Sequence, residues 1–178
     1  MTPPSDEVLI AQVASGDSTA FEQLVRRYQA PALNLAYRFL GDAAEAEEVV
    51  QETFLGVYRN AGRFRPVAPF QGWLFRILSN LCRDALKKSK PVYWSVVPDR
   101  ISPEPNAADQ LERTDRQEAV MRAVARLPAN QRLALLLSMV EDLSYRDIAE
   151  SLNLSVSAVE SLLVRAKAKL RLDLRAYF

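Results

Sequence analysis

The sequence predicts an all-helical protein built as two small helical modules, and three observations carry that prediction. Apolar residues recur at intervals of three and four, and no alternating run bounded by turn residues marks a strand. Four of the ten prolines (Pro91, Pro98, Pro103, Pro105) fall between 91 and 106 beside Ser95, Ser102 and Asn106, a stretch without helical period that reads as a flexible linker. The 178 residues are 49% hydrophobic and 25% charged, which is enough apolar surface for one domain or two small ones and too much for a disordered tail.

The helices follow in order. Phe21, Leu24, Val25 and Tyr28 mark one, and Leu33 to Leu40 mark another that stops at Gly41. Ala46, Val49, Val50, Phe54 and Val57 trace a third, and Phe70 to Lys88 a fourth. Beyond the linker, Val120, Val124 and Leu127 precede a break at Pro128, followed by Leu133 to Val140, Tyr145 to Leu152, and Val156 to Leu174. The expected organisation is a module at 1–90, a linker at 91–116 and a second module at 117–178.

What is missing narrows the chemistry. The chain has no His, one Cys (Cys82) and five scattered Gly, so no His-based triad, Cys/His zinc cluster, disulfide framework or clustered-glycine phosphate loop can be assembled. Acidic residues lie on predicted solvated faces without a paired partner in an apolar pocket, so no catalytic residue, metal or cofactor is expected. Met1 to Glu7 holds Pro, Ser and two acids instead of a basic cap before an apolar run, and no stretch approaches the roughly 18 apolar residues of a membrane span. A soluble cytoplasmic protein with no direct membrane insertion is expected. Cys82 sits among Ile77, Leu78 and Leu81 and reads as a buried thiol.

The net charge of +1 conceals a strong polarity. Met1 to Tyr58 carries three Arg against nine acids, a net of −6, whereas Arg59 to Lys90 sets eight basic residues against Asp84 alone, a net of +7. Pro91 to Gln117 is −2 and Glu118 to Phe178 is +2. An acidic block followed by a basic one points to two partners of opposite sign.

On a helical wheel of the fourth helix, Leu74, Ile77, Leu78, Leu81 and Ala85 form the core side, and Trp73, Arg76, Asn80, Arg83 and Lys87 share the opposite one. The preceding segment, Arg63-Phe64-Arg65-Pro66-Val67-Ala68-Pro69-Phe70, mixes cations with aromatics and is stiffened by two prolines. Cations neutralise phosphates, exposed aromatics stack on unpaired bases, and Asn can bond a base edge, so the surface suits single-stranded or locally opened nucleic acid. Mixtures of Arg and aromatics also make protein interfaces.

Near the end, Leu143 to Glu160 reads as helix, tight turn, helix. Ser144 caps the first helix with Asp147 three residues on, Ser155 caps the second after a turn at Asn153, and Ile148, Ala149, Leu152, Leu154 and Val159 pack the two together. A second helix of this kind fits a DNA major groove, and its open face carries Ser157, Ala158, Glu160, Ser161, Val164 and Arg165, followed by Lys167, Lys169, Arg171 and Arg175. A plain amphipathic hairpin with a solvated basic tail has the same pattern.

These motifs, in their order, have a known counterpart. They are Gly16-Asp17 with Ala20-Phe21 and Leu24 to Tyr28; Ala46 through Phe54 (Ala-Glu-Glu-Val-Val-Gln-Glu-Thr-Phe); Phe70, Trp73, Leu74, Ile77, Asn80 and Asp84; Leu127-Pro128 with Arg132; and Leu143-Ser144-Tyr145 with Ile148-Ala149. Over nearly its whole length the chain resembles the extracytoplasmic-function type of bacterial sigma factor, the compact kind with only region two and region four. The resemblance implies a stress-response factor that binds core RNA polymerase, directs it to promoter DNA and promotes opening at the start site. It implies that Glu48, Gln51, Glu52 and Leu55 contact polymerase. It assigns minus-ten recognition and melting to Arg63, Phe64, Arg65, Phe70, Trp73, Arg76, Asn80, Arg83 and Lys87, and minus-thirty-five reading to the helix from Val156, with Ser157, Ala158, Glu160, Ser161, Val164, Arg165 and Lys167. Many members carry basic residues where Glu160 and Leu162 stand here; Glu160 could accept from a cytosine amino group, Ala158 or Val164 could meet a thymine methyl, and Leu162 is expected to pack inward. Members are commonly held inactive by an anti-sigma factor, and the linker is compatible with a compact state and an extended one, so the free chain is expected to be loosely organised between its modules.

Two other classes share parts of this pattern. An ordinary helix-turn-helix regulator would bind duplex DNA tightly without polymerase, and an all-helical protein adaptor would be indifferent to DNA.

Overall fold

The computed structural model describes residues 3–88, 107–140 and 142–177, with the backbone alone for 107–114. The linker prolines lie outside the described residues. Several helix starts carry their reason in a side chain. Ser5 accepts from the Val8 N–H to begin α1 (Asp6–Ala14), Asp17 accepts from Thr19 and Ala20 to begin α2 (Ser18–Leu40), and Asp42 accepts from Glu45 to begin α3 (Ala43–Asn60). Gly41 ends α2 with φ 79°, a left-handed turn that glycine adopts without strain, and its N–H bonds the Tyr37 carbonyl. A 3-10 turn at Ala61–Arg63 and a loop lead into α4 (Phe70–Lys88). The second module comprises α5 (Ala107–Ala125), α6 (Ala129–Leu137), α7 (Tyr145–Leu152) and α8 (Val156–Asp173). Ser144 and Asp147 form a reciprocal capping box on α7, Asn153 closes it at φ 55°, and Ser155 caps α8.

Several expectations are corrected. The helix α1 has no place in the sequence reading, although Leu9, Ile10 and Val13 bury one side of it and Asp6 clips it to α2, taking an ion pair from Arg27 (2.6 Å) and a hydrogen bond from the Tyr28 hydroxyl. The two helices expected at Phe21–Tyr28 and Leu33–Leu40 are one. Pro31 lies inside α2, where it removes one backbone donor and leaves the rest of a 23-residue ladder with a packed face to hold it. Another helix, α5, starts at Ala107, within the stretch read as linker.

The two modules, expected to be loosely organised, lie in contact in this structure. The buried residues of both modules form one continuous cluster, and α4 is the helix that joins them: α2 and α3 cover one side of it, α7 another. This double burial explains why Phe75 and Cys82 are fully enclosed while Ile77, Leu81 and Ala85 are only partly so. Burial pushes the Cys82 thiol up to about 12, so it stays protonated and inert at neutral pH.

The second inter-module contact is a buried cation. The Arg132 guanidinium, 8% exposed, donates to the Phe39 carbonyl at the end of α2 (2.8 Å), to Leu127 (3.2 Å) and to Ala125, and lies 5.1 Å from the centre of the Phe39 ring. Burial lowers its pKa, and carbonyl partners at α2, α5 and the turn before α6 compensate the charge. Replacing Arg132 by Met leaves those three acceptors without their donor, so Arg132→Met is expected to cost about 2–4 kcal/mol in urea unfolding.

Candidate nucleic-acid and polymerase interfaces

The face opposite the core of α4 is set by helical spacing. Trp73, Arg76, Asn80, Arg83 and Lys87 follow one another at intervals of three and four and line one strip. Trp73 is half-buried because it rests on a stack of rings that rises from the core. Tyr28 lies 5.6 Å from Phe70, Phe70 6.0 Å from Trp73 and from Phe64, and Phe64 5.3 Å from Trp73. Phe70, which the resemblance places among the minus-ten residues, is 0% exposed: as the first residue of α4 it turns into the core and supports the two rings above it. Arg63, Arg65 and the loop tip Val67 are exposed beside this stack.

The cations on the strip are engaged with neighbours. Asn80 Oδ1 accepts from Arg83 (3.2 Å), Lys87 lies 3.7 Å from Asp84, and Arg76 reaches across to Glu150 on α7 (3.4 Å). Burial lowers the Arg83 pKa. The Arg76–Glu150 pair is nearly half-exposed on both sides, and such pairs contribute about 0–1 kcal/mol. It occupies Arg76 without holding the modules together, a job left to the buried contacts.

A second surface lies on α3. Its inner stripe, including Val50, Phe54 and Val57, is buried, and Glu48, Gln51, Glu52 and Leu55 all point outward. Leu55 is 44% exposed, a large apolar side chain held in water amid acids, with Glu52 paired to Arg59 (3.3 Å). Tyr58, one turn further on, exposes about half of itself while its ring packs 5.1 Å from Phe21; sequence reasoning missed it, although the i+3 spacing from Leu55 is a readable signal.

A third surface lies on α8. Ser157, Glu160, Ser161, Val164, Arg165 and Lys167 are exposed, with Val164 at 68%, and Ala158 is half-buried. Leu162 is partly buried against the core, as expected. Thus the structure brings the minus-ten candidates onto α4 and its loop, keeps the minus-thirty-five candidates on one open helix, and leaves the polymerase candidates on α3. Among the described residues no cluster of His, Cys, Asp and Glu could hold a metal ion, and no helix is long and apolar enough to cross a membrane.

Comparison with known proteins decides the family. The profile for Sigma-70 region 2 matches residues 24–91, and that for Sigma-70, region 4 matches 117–170. The chain is 32% identical to the ECF RNA polymerase sigma factor SigW of Bacillus subtilis (strain 168), over 93% of this chain and 95% of that one. The chain belongs to the extracytoplasmic-function group of the sigma-70 family. It is also 34% identical to the RNA polymerase sigma-H factor of Pseudomonas aeruginosa, over 94% of this chain and 92% of that one. Among solved structures, CnrH in complex with the cytosolic domain of CnrY superposes with a TM-score of 0.76 at 32% identity, over 97% of this chain and 99% of that one. In sigma-70 terms, the region 2 match takes in most of α2 with α3 and α4, and α1 precedes it.

That preceding helix bears on the α4 face. The Glu7 carboxylate accepts from the Phe70 N–H (3.3 Å), closing the first turn of α4 from α1. Hydrogen bonds to its own backbone N–H and to that of Phe70 hold Glu7 below the ordinary 4.5, against an opposing push from burial. A carboxyl whose folded pKa is depressed stabilises fully above its unfolded value, and that contribution is lost as pH falls through the folded one. Between about pH 6 and about pH 3 the wild type is therefore expected to lose more melting temperature than Glu7→Gln, with the protection factor of the Phe70 amide falling in the same window; parallel pH profiles would contradict the latch.

Proposed function

We propose that this chain is a promoter-specificity factor: it binds core RNA polymerase, directs it to particular promoters and promotes opening of the DNA for initiation. The observation that carries the reading is the α4 strip, where a ring seated on two others stands in line with an amide and three cations. In this reading Arg76, Arg83 and Lys87 neutralise phosphates of the minus-ten region, with Arg63 and Arg65 on the loop beside them. Asn80 bonds a base edge, and Trp73 with Phe64 takes an unstacked base; Phe70 positions both rings without touching DNA. Unstacking a base costs a few kcal/mol and stacking it on protein returns about 1–3 kcal/mol, so opening is driven by binding alone. No covalent bond is made or broken by the chain, and none of its residues is assigned a catalytic role.

The other two surfaces supply placement. The acidic, partly apolar strip of Glu48, Gln51, Glu52 and Leu55 docks on polymerase, with Tyr58 as its continuation. On α8, Ser157, Ala158, Glu160, Ser161 and Val164 read the minus-thirty-five element and Arg165 and Lys167 hold its phosphates, Glu160 accepting from a cytosine amino group and Val164 or Ala158 meeting a thymine methyl. The units in this reading are region two at 1–90, region four at 117–178 and a joining segment at 91–116. It places the protein in the cytoplasm with polymerase and chromosome. The similarity to CnrH, whose structure includes the cytosolic domain of CnrY, supports control by a protein partner, an anti-sigma factor in this reading.

A paired substitution separates the two roles. Trp73→Ala with Asn80→Ala is expected to leave polymerase binding intact while abolishing permanganate-reactive thymines at the start site, and Glu52→Lys is expected to weaken binding to core polymerase at least severalfold. Reactive thymines persisting in the double variant would remove α4 from melting, and unchanged affinity of Glu52→Lys would move the docking surface elsewhere.

A further inference from the structure

Two of the three surfaces match each other. On α3, Glu48, Glu52, Leu55 and Tyr58 stand at i, i+4, i+7 and i+10 and are all exposed, Leu55 by 44% and Tyr58 by 49%. On α8 and the turn that follows it, Arg165, Lys169, Leu172 and Arg175 stand at the same intervals and are all exposed, Leu172 by 70%. The spacing is identical and the charges are opposite. Two carboxylates on one strip answer two cations on the other, a leucine follows in each, and the last place holds a ring on one and a guanidinium on the other, the two halves of a cation–π contact. Among the described residues no ion pair within the chain occupies Glu48, Arg165, Lys169 or Arg175, and Glu52 holds Arg59 only through an exposed contact of 3.3 Å. Both strips are uncovered in the folded chain, where α3 packs on α2 and α4 and α8 on α6 and α7, so they do not meet each other within it. The net charge of +1 leaves no overall repulsion between copies.

We propose that a second copy of this chain is the partner these strips fit: α3 of one copy lies parallel to α8 of the next, with Glu48 facing Arg165, Glu52 facing Lys169, Leu55 against Leu172 and Tyr58 against Arg175. Both helices rise about 1.5 Å per residue, so equal spacing keeps the four pairs in register over about 15 Å. The antiparallel arrangement sets Glu52 against Leu172 and Leu55 against Lys169, which leaves charge facing apolar surface. Because the two strips differ, the contact is head to tail. Exposed ion pairs are individually weak and screened by salt, so the association belongs to high protein concentration and low ionic strength. That it hides a polymerase-docking surface together with cations of the DNA-reading helix rests on the proposed reading of α3 and α8; the association itself does not.

Sedimentation velocity of the full chain, from about 10 to about 300 μM in about 50 mM NaCl, reads the association. The weight-average mass of the wild type is expected to climb above that of the monomer as concentration rises, and to return to it in about 500 mM NaCl. Glu48→Lys with Glu52→Lys, and separately Arg165→Glu with Lys169→Glu, alter exposed positions alone, and each pair is expected to weaken self-association at least about tenfold. An equimolar mixture of the two variants is expected to associate again, because the intact α8 of the first meets the intact α3 of the second. This recovery cannot come from a variant that fails to fold. A wild type that stays monomeric throughout overturns the proposal, as does association that survives both charge reversals or a mixture that remains monomeric. If the wild type, variants and mixture behave as expected while Glu48→Lys with Glu52→Lys binds core polymerase as tightly as the wild type, the reading of α3 as the polymerase surface fails and the self-association stands.

Discussion

The rings of Tyr28, Phe70, Trp73 and Phe64 form a column from the core of the first module to its surface, and the functional geometry depends on it. Phe70 is the hinge of that column. It is fully buried at the first position of α4, so the same side chain fixes where the helix begins, how the loop from Arg63 arrives and how high Trp73 stands. Glu7 on α1 completes the arrangement by capping the Phe70 N–H. In the proposed reading the outer rings receive a base, and holding them without rotamer freedom matters because ordering them at the moment of binding would offset the stacking they provide. A stack anchored in the core meets that requirement before DNA arrives.

The second dependence is the position of α4 between two modules. A helix covered on one side by α2 and α3 and on another by α7 retains a narrow strip for anything else, and on that strip Trp73, Arg76, Asn80, Arg83 and Lys87 stand. Arg132 contributes from a distance: its buried guanidinium ties the end of α2 to the start of α6 through Phe39, Leu127 and Ala125, and so sets where α7 meets α4. The polar contact at Gly72 and the buried contact at Phe39 differ in kind. The second resists opening because a buried charge would lose its acceptors.

Much of this was legible in the sequence, and the reasons are local. The ranges Phe70–Lys88 and Tyr145–Leu152 coincide with the observed α4 and α7 because Pro69 stands before one and Ser144, Asp147 and Asn153 bracket the other. The outward placement of Glu48, Gln51, Glu52 and Leu55, and of the α8 residues, followed from periodicity. By contrast α1 is short and its three buried residues sit among acids and small residues, so its period is weak. Pro31 invited a break that packing overrides. The burial of Phe75 needed knowledge of a second neighbour for α4, and that neighbour is seated by Gly72 and Ser151, small residues that leave no hydrophobic signature.

In the proposed reading the three surfaces serve one event, the placement and opening of a promoter by polymerase. Run-off transcription from a pooled bacterial genomic library, with core polymerase alone and with core polymerase plus this protein, tests it most directly when the new 5′ ends are sequenced. New start sites that share two upstream motifs are expected. No new starts, with binding to duplex DNA retained, would contradict it and leave an ordinary helix-turn-helix regulator.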